Sequence, residues 1–182
     1  MNKVRCKWVN NQNLLYVKYH DEEWGIPHHD DKYLYEFLIL EMFQAGLSWE
    51  TILKKREAFR IAFDDFNPII VSNYDNNKIE ELMNNKDIVR NRRKILAAIN
   101  NSKLFLDIVK EYGSFDNFIW SFTNNEVIYE TDKVTSSLSD NISKILYNKG
   151  FRFVGSTIIY SYLQAIGVIC SHDKECYLSN IK

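Results

Sequence analysis

Twenty consecutive residues near the end of the chain, Phe153 to His172, include no Asp, Glu, Lys or Arg. A run of this length matches what a helix needs to cross a bilayer. The run also contains seven polar side chains and two glycines: Ser156, Thr157, Tyr160, Ser161, Tyr162, Gln164, Ser171, Gly155 and Gly167. Because this composition is too polar for a lone membrane span, we predict a helix from Gly155 to Gly167 buried in a protein core, and no membrane partner.

The remainder of the chain has the pattern of helices joined by short polar turns. Only 6 Gly and 2 Pro occur among 182 residues, which disfavours turn-dense β-sandwiches and Pro-rich fibres. Capping residues are predicted at Asp30 or Asp31, Ser48, Ser114 and Ser171. Other helices are predicted to start at Pro68 after Asn67, at Asp75 or Asn76, near Asn91 and at Ser139. The stretch up to Pro27 is expected to be irregular, and Val127 to Tyr129 is the one place where we allow a strand. We therefore predict an all-α fold in which residues 1–182 form a single domain with two lobes.

Charge excludes one class of protein and leaves another open. The 23 basic and 24 acidic residues give a net charge of −1, which rules out a wholly basic nucleic-acid coat protein. A local basic cluster still occurs at a predicted helix start: Arg90, Arg92, Arg93 and Lys94. Such a cluster indicates either a solvated helix face or a surface that meets phosphates.

The cysteine count favours a reducing compartment. Cys6, Cys170 and Cys176 are an odd number, and the stretch from Met1 to Trp8 lacks the apolar core of a signal peptide. We therefore expect a cytoplasmic protein, in which each cysteine is buried, catalytic or bound to metal. Cys170 has the surroundings of a small buried apolar residue.

A second pattern suggests a metal site. His172 and Cys176 are four residues apart, so on a helix they would share one face and suit a soft divalent ion such as Zn²⁺. Cys6 and His20 are candidates for the other two ligands, with His28 and His29 as rivals of His20. Four protein ligands would leave no open position, so the site would be structural and would tie the two ends of the chain together. The alternative is a buried cysteine and ordinary surface histidines.

Glu41 is the most unusual charged residue. On a helical wheel it shares a face with Leu34, Phe37, Leu38 and Ala45, where an ionised carboxylate is costly unless it is paired. It therefore either meets a backbone amide, an arginine or solvent, or lines a ligand pocket with a shifted pKa. Four aromatic residues near the lobe boundaries either belong to the core or sandwich a flat cationic ring: Tyr16, Tyr19, Trp24 and Trp49.

The stretch from Lys149 to Thr157 has the pattern of a helix end, a tight turn between Gly150 and Gly155, and a new helix start. Amides exposed at such a helix start can hold a phosphate oxygen without contacting any base. The alternative is a plain turn between two helices.

Together these segments resemble the DNA-3-methyladenine glycosylase I family of the helix–hairpin–helix DNA glycosylase superfamily. The resemblance covers nearly the whole chain. It is carried by 6–8 (CKW), 19–25 (YHDEEWG), 40–49 (LEMFQAGLSW), 52–56 (ILKKR), 150–157 (GFRFVGST), 164–167 (QAIG), His172 and Cys176. Met42 and Phe43 differ from the smaller or polar residues common in relatives. The stretch from Gly167 to Ser171 lacks the aspartate found in other branches of the superfamily.

The family resemblance implies an all-α helix–hairpin–helix fold and assigns roles to particular residues. It implies one structural Zn²⁺ per chain, held by Cys6, His20, His172 and Cys176. It implies a base pocket lined by Tyr19, Glu41 and Trp49, with Tyr16 and Trp24 nearby. In that pocket Glu41 is the catalytic residue, which recognises the base first and acts as an acid or base second. Contacts to the DNA backbone are expected at Gly150, Arg152, Gly155 and Ser156.

The resemblance also implies a reaction. We expect a base excision repair enzyme that hydrolyses the N-glycosidic bond of 3-methyladenine in alkylated double-stranded DNA, releasing the free base and leaving an abasic site. No lysine is obviously placed to form a Schiff base, so we expect a monofunctional glycosylase, acting as a monomer in a bacterial cytoplasm. The competing hypotheses are a zinc-stapled DNA-binding module without catalysis and a zinc hydrolase.

Overall fold

The uncharged run forms a helix in the core of the fold, as predicted. The computed structural model describes residues 3–179, and within them α9 (Ser156–Ala165) buries Ile159, Tyr160 and Leu163. No helix among residues 3–179 is both long enough and apolar enough to cross a bilayer. The hydroxyl of Tyr162 donates to the carbonyl of Leu34 at 3.1 Å, so this polar atom of the helix bonds within the protein core.

Helices dominate the described residues, which confirms the all-α prediction. In chain order the preceding helices are α1 (Leu14–Glu22), α2 (Asp31–Gln44), α3 (Trp49–Ala62), α4 (Pro68–Val71), α5 (Asn76–Asn84), α6 (Arg92–Tyr112), α7 (Phe115–Ser121) and α8 (Ser137–Asn148), with a 3₁₀ turn at Asp64–Phe66. Two short strands, β1 (Ile128–Tyr129) and β2 (Ile169–Cys170), complete the fold.

Most of the residues predicted to cap or start a helix cap the helices that follow them. The side chains of Asp30, Ser48, Asp75, Asn91 and Ser114 each accept a backbone N–H in the first turn of the next helix.

The predicted start of α8 was wrong, and one helix was not predicted. α8 is capped by Ser136, and Ser139 instead occupies the third helical position, where its hydroxyl accepts the backbone N–H of Ser136. The N-terminal stretch, expected to be irregular, contains α1, which is capped by Asn13.

The C-terminal end departs furthest from prediction. No helix follows Ser171; residues 171–179 form turns. The preceding residues extend into β2, which pairs in parallel with β1, Ile128 opposite Ile169. The predicted strand at Val127 to Tyr129 is thus confirmed as Ile128–Tyr129, whereas its partner strand is not predicted by the sequence. Gly167, with φ at +76°, follows α9 and redirects the chain into this strand.

The central helix α2 is buried on every side from Leu34 to Phe43, not on one face. It packs against α3, α6, α7 and α9. Since this helix has no solvent-facing side over that span, Glu41 enters the protein interior whatever its angular position on the helix.

Candidate functional site

A cavity of about 350 Å³ lies beside the C-terminal half of α2. Its lining consists of Trp8, Tyr16, Tyr19, Trp24, Glu41, Gln44, Trp49, Asp132, Lys133, Ser161, Gln164, Ser171 and Asp173. All five residues predicted to form the base pocket are among them. The volume lies within the range of small-molecule sites, and the walls combine flat aromatic rings with a few polar groups.

Glu41 is only 3% exposed, and its Oε2 atom has no hydrogen-bond partner. No ion pair involving Glu41 is found among residues 3–179. No hydrogen bond from an amide or an arginine to Glu41 is found among residues 3–179 either. Of the alternatives for this residue, the one that fits is a carboxyl lining a ligand pocket. Burial raises the pKa of the Glu41 carboxyl to about 8, because water no longer solvates the charged form.

The aromatic rings that line the cavity pack against neighbouring aromatic rings. The ring of Tyr19 stacks on that of Phe37 with centroids 6.2 Å apart, and it lies 5.3 Å from the ring of Trp49. The indole Nε1 of Trp49 is buried without a hydrogen-bond acceptor. The cavity lining thus carries one unsatisfied acceptor, on Glu41, and one unsatisfied donor, on Trp49. Buried polar groups are usually paired, so the two together indicate a site that is completed by a ligand.

Trp8 is a lining residue that sequence reasoning did not assign to the site. Its ring meets that of Tyr16 edge-on at 5.4 Å and that of Trp24 at 4.9 Å. Trp24 in turn lies 4.8 Å from the ring of His172. The tryptophan pair therefore separates the cavity from the cysteine–histidine cluster. The sequence signal that could have assigned Trp8 to the site is its position two residues after the predicted metal ligand Cys6.

The opposite rim was also missed, since its residues come from distant segments. Lys133 contributes to this rim although no lysine was expected near the site. Its Nζ is 2.5 Å from Oε2 of Glu130, so the ammonium group is ion-paired. Nothing in the local sequence around Asp132, Ser161 or Asp173 indicates that these residues line a cavity.

The four predicted metal ligands come together in the core. Their ligand atoms, from Cys6, His20, His172 and Cys176, all lie within 4.8 Å of one another. Sγ of Cys6 is 3.4 Å from Nδ1 of His172, and Sγ of Cys176 is 3.5 Å from Nε2 of His20. A tetrahedral Zn²⁺ with ordinary bond lengths separates sulfur from nitrogen ligands by about 3.6 Å. These two thiols and two imidazoles could therefore hold a metal ion that joins the two ends of the chain.

The backbone conformation that brings His172 and Cys176 together differs from the prediction. His172 and Cys176 are held by a turn, with the Cys176 amide donating to the Asp173 carbonyl at 2.8 Å, and no helix links them. The rivals His28 and His29 lie elsewhere: His28 stacks on Tyr33, and Nδ1 of His29 is 2.8 Å from Asp116.

Neighbouring groups orient the cluster. Nδ1 of His20 is 2.8 Å from Asp21, and Arg5 holds the same carboxylate through two hydrogen bonds. This leaves Nε2 of His20 facing the cluster, as carboxylates commonly do for metal-bound histidines. Burial raises the pKa of the Cys6 thiol to about 12 and lowers that of His172 to about 4. A neutral His172 has a free lone pair for a metal ion, whereas Cys6 would have to release its proton as the ion binds.

The predicted hairpin lies between α8 and α9. Gly150 has φ at +102°, and the amide of Arg152 donates to the buried side chain of Asn101. Gly155 caps α9 without any side-chain hydrogen bond, so the first amides of α9 have no side-chain acceptor there. Ser156 bonds to Asp140 and to Ser139. Arg152 is exposed and directs its Nη1 atom to the carbonyls of Gly150 and Phe151.

One member of the basic cluster was wrongly interpreted. Lys94 is 5% exposed, and its Nζ donates to the carbonyls of Phe43 and Ala45 at the end of α2. A buried ammonium group that caps a helix cannot also contact DNA. Arg90, Arg92 and Arg93 are at or near the surface, with Arg92 paired to Glu80 at 2.5 Å.

Comparison with known proteins gives a consistent result. The family model for methyladenine glycosylase matches residues 8–179. DNA-3-methyladenine glycosylase 1 of Escherichia coli strain K12 is 43% identical over 178 residues, covering 94% of this chain and 95% of that protein. A crystal structure of 3-methyladenine DNA glycosylase I superposes with a TM-score of 0.91 at 40% identity, covering 96% of this chain and 99% of that one. A variant of 3-methyladenine DNA glycosylase I in complex with 3-methyladenine gives a TM-score of 0.89 at 36% identity, covering 92% and 93%.

Proposed function

This chain belongs to the methyladenine glycosylase family, and on that footing we propose that its cavity beside Glu41 binds and excises 3-methyladenine from alkylated DNA. The observation that carries the proposal is the pair of unsatisfied polar groups in the cavity lining, the Glu41 carboxyl and the Trp49 indole N–H. An adenine edge offers both donors and acceptors, and its ring fits between aromatic walls. The target nucleotide must leave the DNA stack to reach such a cavity.

Recognition follows from charge. Methylation at N3 makes the base cationic. A nearby cation favours the charged form of Glu41, so the carboxyl gives up its proton as the base binds, and the resulting carboxylate in a water-poor cavity attracts the cation strongly. The rings of Tyr19 and Trp49 add stacking and cation–π attraction. Unmodified adenine presents an exocyclic amine without the positive charge, so Glu41 favours the damaged base. In this proposal Glu41 is first a recognition residue.

The reaction is a hydrolysis. The bond between C1′ of the sugar and N9 of the base breaks, and its electron pair moves to the cationic base, which leaves as a neutral molecule. A water molecule adds its oxygen to C1′ and loses a proton, leaving an abasic site. The leaving group is already good, so binding and positioning supply most of the catalysis. In this proposal Glu41, the carboxyl group that α2 contributes to the cavity, accepts that proton.

The function is tested by incubating the protein with double-stranded DNA that carries 3-methyladenine. We expect the free base in the supernatant and an intact strand that breaks only after alkali treatment. For a monofunctional enzyme we expect borohydride to trap no covalent complex, and Lys133, the lysine in the cavity lining, is the residue that this assay examines. Release of no base, with ordinary DNA affinity, would favour a DNA-binding module without catalysis. A trapped complex would show that the enzyme is not monofunctional.

We further propose that the ion in the cysteine–histidine cluster is a structural Zn²⁺, one per chain. Two thiolates and two imidazoles at tetrahedral spacing suit this metal. With all four positions filled by protein, the ion offers no site for a catalytic water, which argues against a zinc hydrolase. Its role would be to fix α1, which carries Tyr16 and Tyr19, to the C-terminal turn.

We propose that the enzyme acts as a single-domain monomer (residues 1–182) in a bacterial cytoplasm. We also propose that DNA binds through a helix–hairpin–helix contact at Gly150, Arg152, Gly155 and Ser156. Support comes from the uncapped N-terminus of α9 and the exposed Arg152 guanidinium. Both attract phosphate without contacting bases.

Salt dependence tests this contact. Affinity for double-stranded DNA is expected to fall steeply as salt rises, because each neutralised phosphate releases counterions. For Arg152→Ala we expect weaker binding to every sequence and a log–log slope that is less steep by about 0.9. Lys78→Ala, which removes an equal charge from α5, should leave the slope unchanged. Affinity that does not vary with salt would contradict the proposed phosphate contacts.

A further inference from the structure

Lys94 and Asn101 are two of the three polar side chains of α6 that are buried, where a helix ordinarily presents apolar ones. Lys94 is 5% exposed and Asn101 is 0% exposed. Burial of an ammonium group or an amide is costly unless its hydrogen bonds are made, so both residues need a structural or functional reason to be inside. Neither residue lines the cavity beside Glu41.

Asn101 lies between the hairpin and α2. Its Nδ2 donates to the carbonyl of Arg152 at 2.9 Å, and its Oδ1 accepts from the Arg152 amide, also at 2.9 Å. The same Nδ2 atom is 3.5 Å from Sδ of Met42, the residue that follows Glu41. The neighbouring Asn100 adds a bond from its Nδ2 to the carbonyl of Gly150 at 3.0 Å. The backbone of the hairpin is thus fastened to α6 at two residues.

Lys94 holds the other end of the connection. Its Nζ donates to the carbonyls of Phe43 and Ala45 at 2.9 and 2.6 Å. These carbonyls belong to the end of α2, which has no later helical amide to bond them, and a cation there is favoured by the helix dipole. Lys94 therefore fixes the end of α2 that carries Glu41 and Gln44.

We propose that Lys94 and Asn101 are positioning residues that hold the DNA-contacting hairpin and the base cavity in one fixed relative placement. This inference rests on the proposed function of both sites. α6 would act as a rigid strut: one group on it bonds the α2 terminus, and another bonds the hairpin backbone. A phosphate bound at the hairpin then sets how far the flipped nucleotide reaches toward Glu41.

The physical requirement for such a strut is strict. Excision needs the phosphate on the hairpin and the base in the cavity at the same time, and a displacement of about 1 Å can lower a rate about a hundredfold. Free base binding needs only the cavity, and DNA binding needs mainly the hairpin. Loss of the strut should therefore damage the reaction more than either binding step.

The test measures three quantities for Asn101→Ala and Lys94→Met: the affinity for free 3-methyladenine, the affinity for DNA, and the single-turnover excision rate at saturating DNA. We expect both affinities to stay within about threefold of wild type, while the excision rate falls about tenfold or more. In the double variant the rate should fall no further than in the worse single variant, because the two residues serve one connection. If Asn101→Ala does not fold, Lys94→Met carries the test alone.

Ser102→Ala is the matched control. Ser102 is also buried on α6, but its hydroxyl bonds to Ala98 and Tyr35, away from the hairpin. We expect it to lower stability without the loss of excision rate. The inference is overturned if Ser102→Ala slows excision as much, if the rate losses of the two strut variants add, or if base affinity falls as far as the rate. A wild-type protein that releases no 3-methyladenine would instead contradict the proposed function.

Discussion

Replacing Cys176 with serine is expected to abolish stoichiometric metal binding and to lower the free energy of unfolding by several kcal/mol. The binding energy of a four-ligand structural site is folding energy, about 10–16 kcal/mol for Zn²⁺ in small peptides. A whole domain is stable by only about 5–15 kcal/mol. Loss of one thiolate from the cluster with Cys6, His20 and His172 should therefore leave much of the chain unfolded. Denaturant unfolding and metal analysis by mass spectrometry measure both effects.

Cys170 provides the control for this prediction. It is buried at 4% exposure, close to the cluster, yet it is not a member of the cluster. Cys170→Ser makes the same chemical change in a similar setting, so it should cost about 1–2 kcal/mol and leave one metal ion per chain. A Cys176→Ser protein as stable as Cys170→Ser would show that the cluster is an ordinary group of buried side chains.

Features with a local physical cause were predictable from the sequence. Helix caps at Asp30, Ser48, Asn91 and Ser114 depend on a side chain reaching an amide two or three residues away, which the sequence displays directly. Glu41 was identifiable for a similar reason, since it is the one charged residue in the apolar run from Phe37 to Phe43. The four residues of the cysteine–histidine cluster were found by residue type, although the helix assumed to join His172 to Cys176 does not exist.

Features created by distant contacts were not predictable. β2 forms because Ile169 pairs with Ile128, some forty positions earlier in the chain. Neither segment has a local sequence pattern that indicates this pairing. Lys94 belongs to a run of basic residues and was therefore interpreted as a surface cation. In the fold, two carbonyls at the end of α2 lie beside its ammonium group. The same holds for Lys133 on the rim of the cavity. In each case tertiary packing, absent from any local pattern, decides what the side chain contacts.

Substitution of Glu41 by glutamine is expected to stabilise the fold. The folded-state pKa of about 8 lies above the ordinary 4.5, so between these values the native state holds a proton that the unfolded chain has lost. Wild-type stability therefore falls as pH rises from about 4.5 to about 8, and the glutamine variant lacks this loss. We expect the variant to be more stable by roughly 4 kcal/mol at pH 8 and by less than about 1 kcal/mol at pH 5. Thermal unfolding across this pH range measures the difference.

The Glu41→Gln variant is also expected to lose function. The glutamine side chain keeps the size and one acceptor of the glutamate but removes the charge. That charge attracts the cationic base in DNA, and it strengthens the hydrogen bond that Glu41 accepts from the neutral free base. A hydrogen bond to a charged group contributes about 1.5–3 kcal/mol, so affinity for free 3-methyladenine should fall roughly 10- to 100-fold, and release from alkylated DNA should fall at least as far. DNA affinity should hardly change, since the hairpin is untouched.

Glu36→Gln on the same helix separates burial from function. Glu36 is 4% exposed, as buried as Glu41, but its Oε1 is 2.5 Å from Nε of Arg56 and 2.9 Å from Nη2 of Arg60. Removing its charge leaves the largely buried Arg56 with one fewer carboxylate, so this variant should lose stability and keep its affinity for the base. The two substitutions on α2 are thus expected to have opposite effects: Glu41→Gln raises stability and lowers base affinity, whereas Glu36→Gln lowers stability and keeps base affinity. A Glu41→Gln protein that binds and releases 3-methyladenine like wild type would make Glu41 a structural residue and place the base elsewhere.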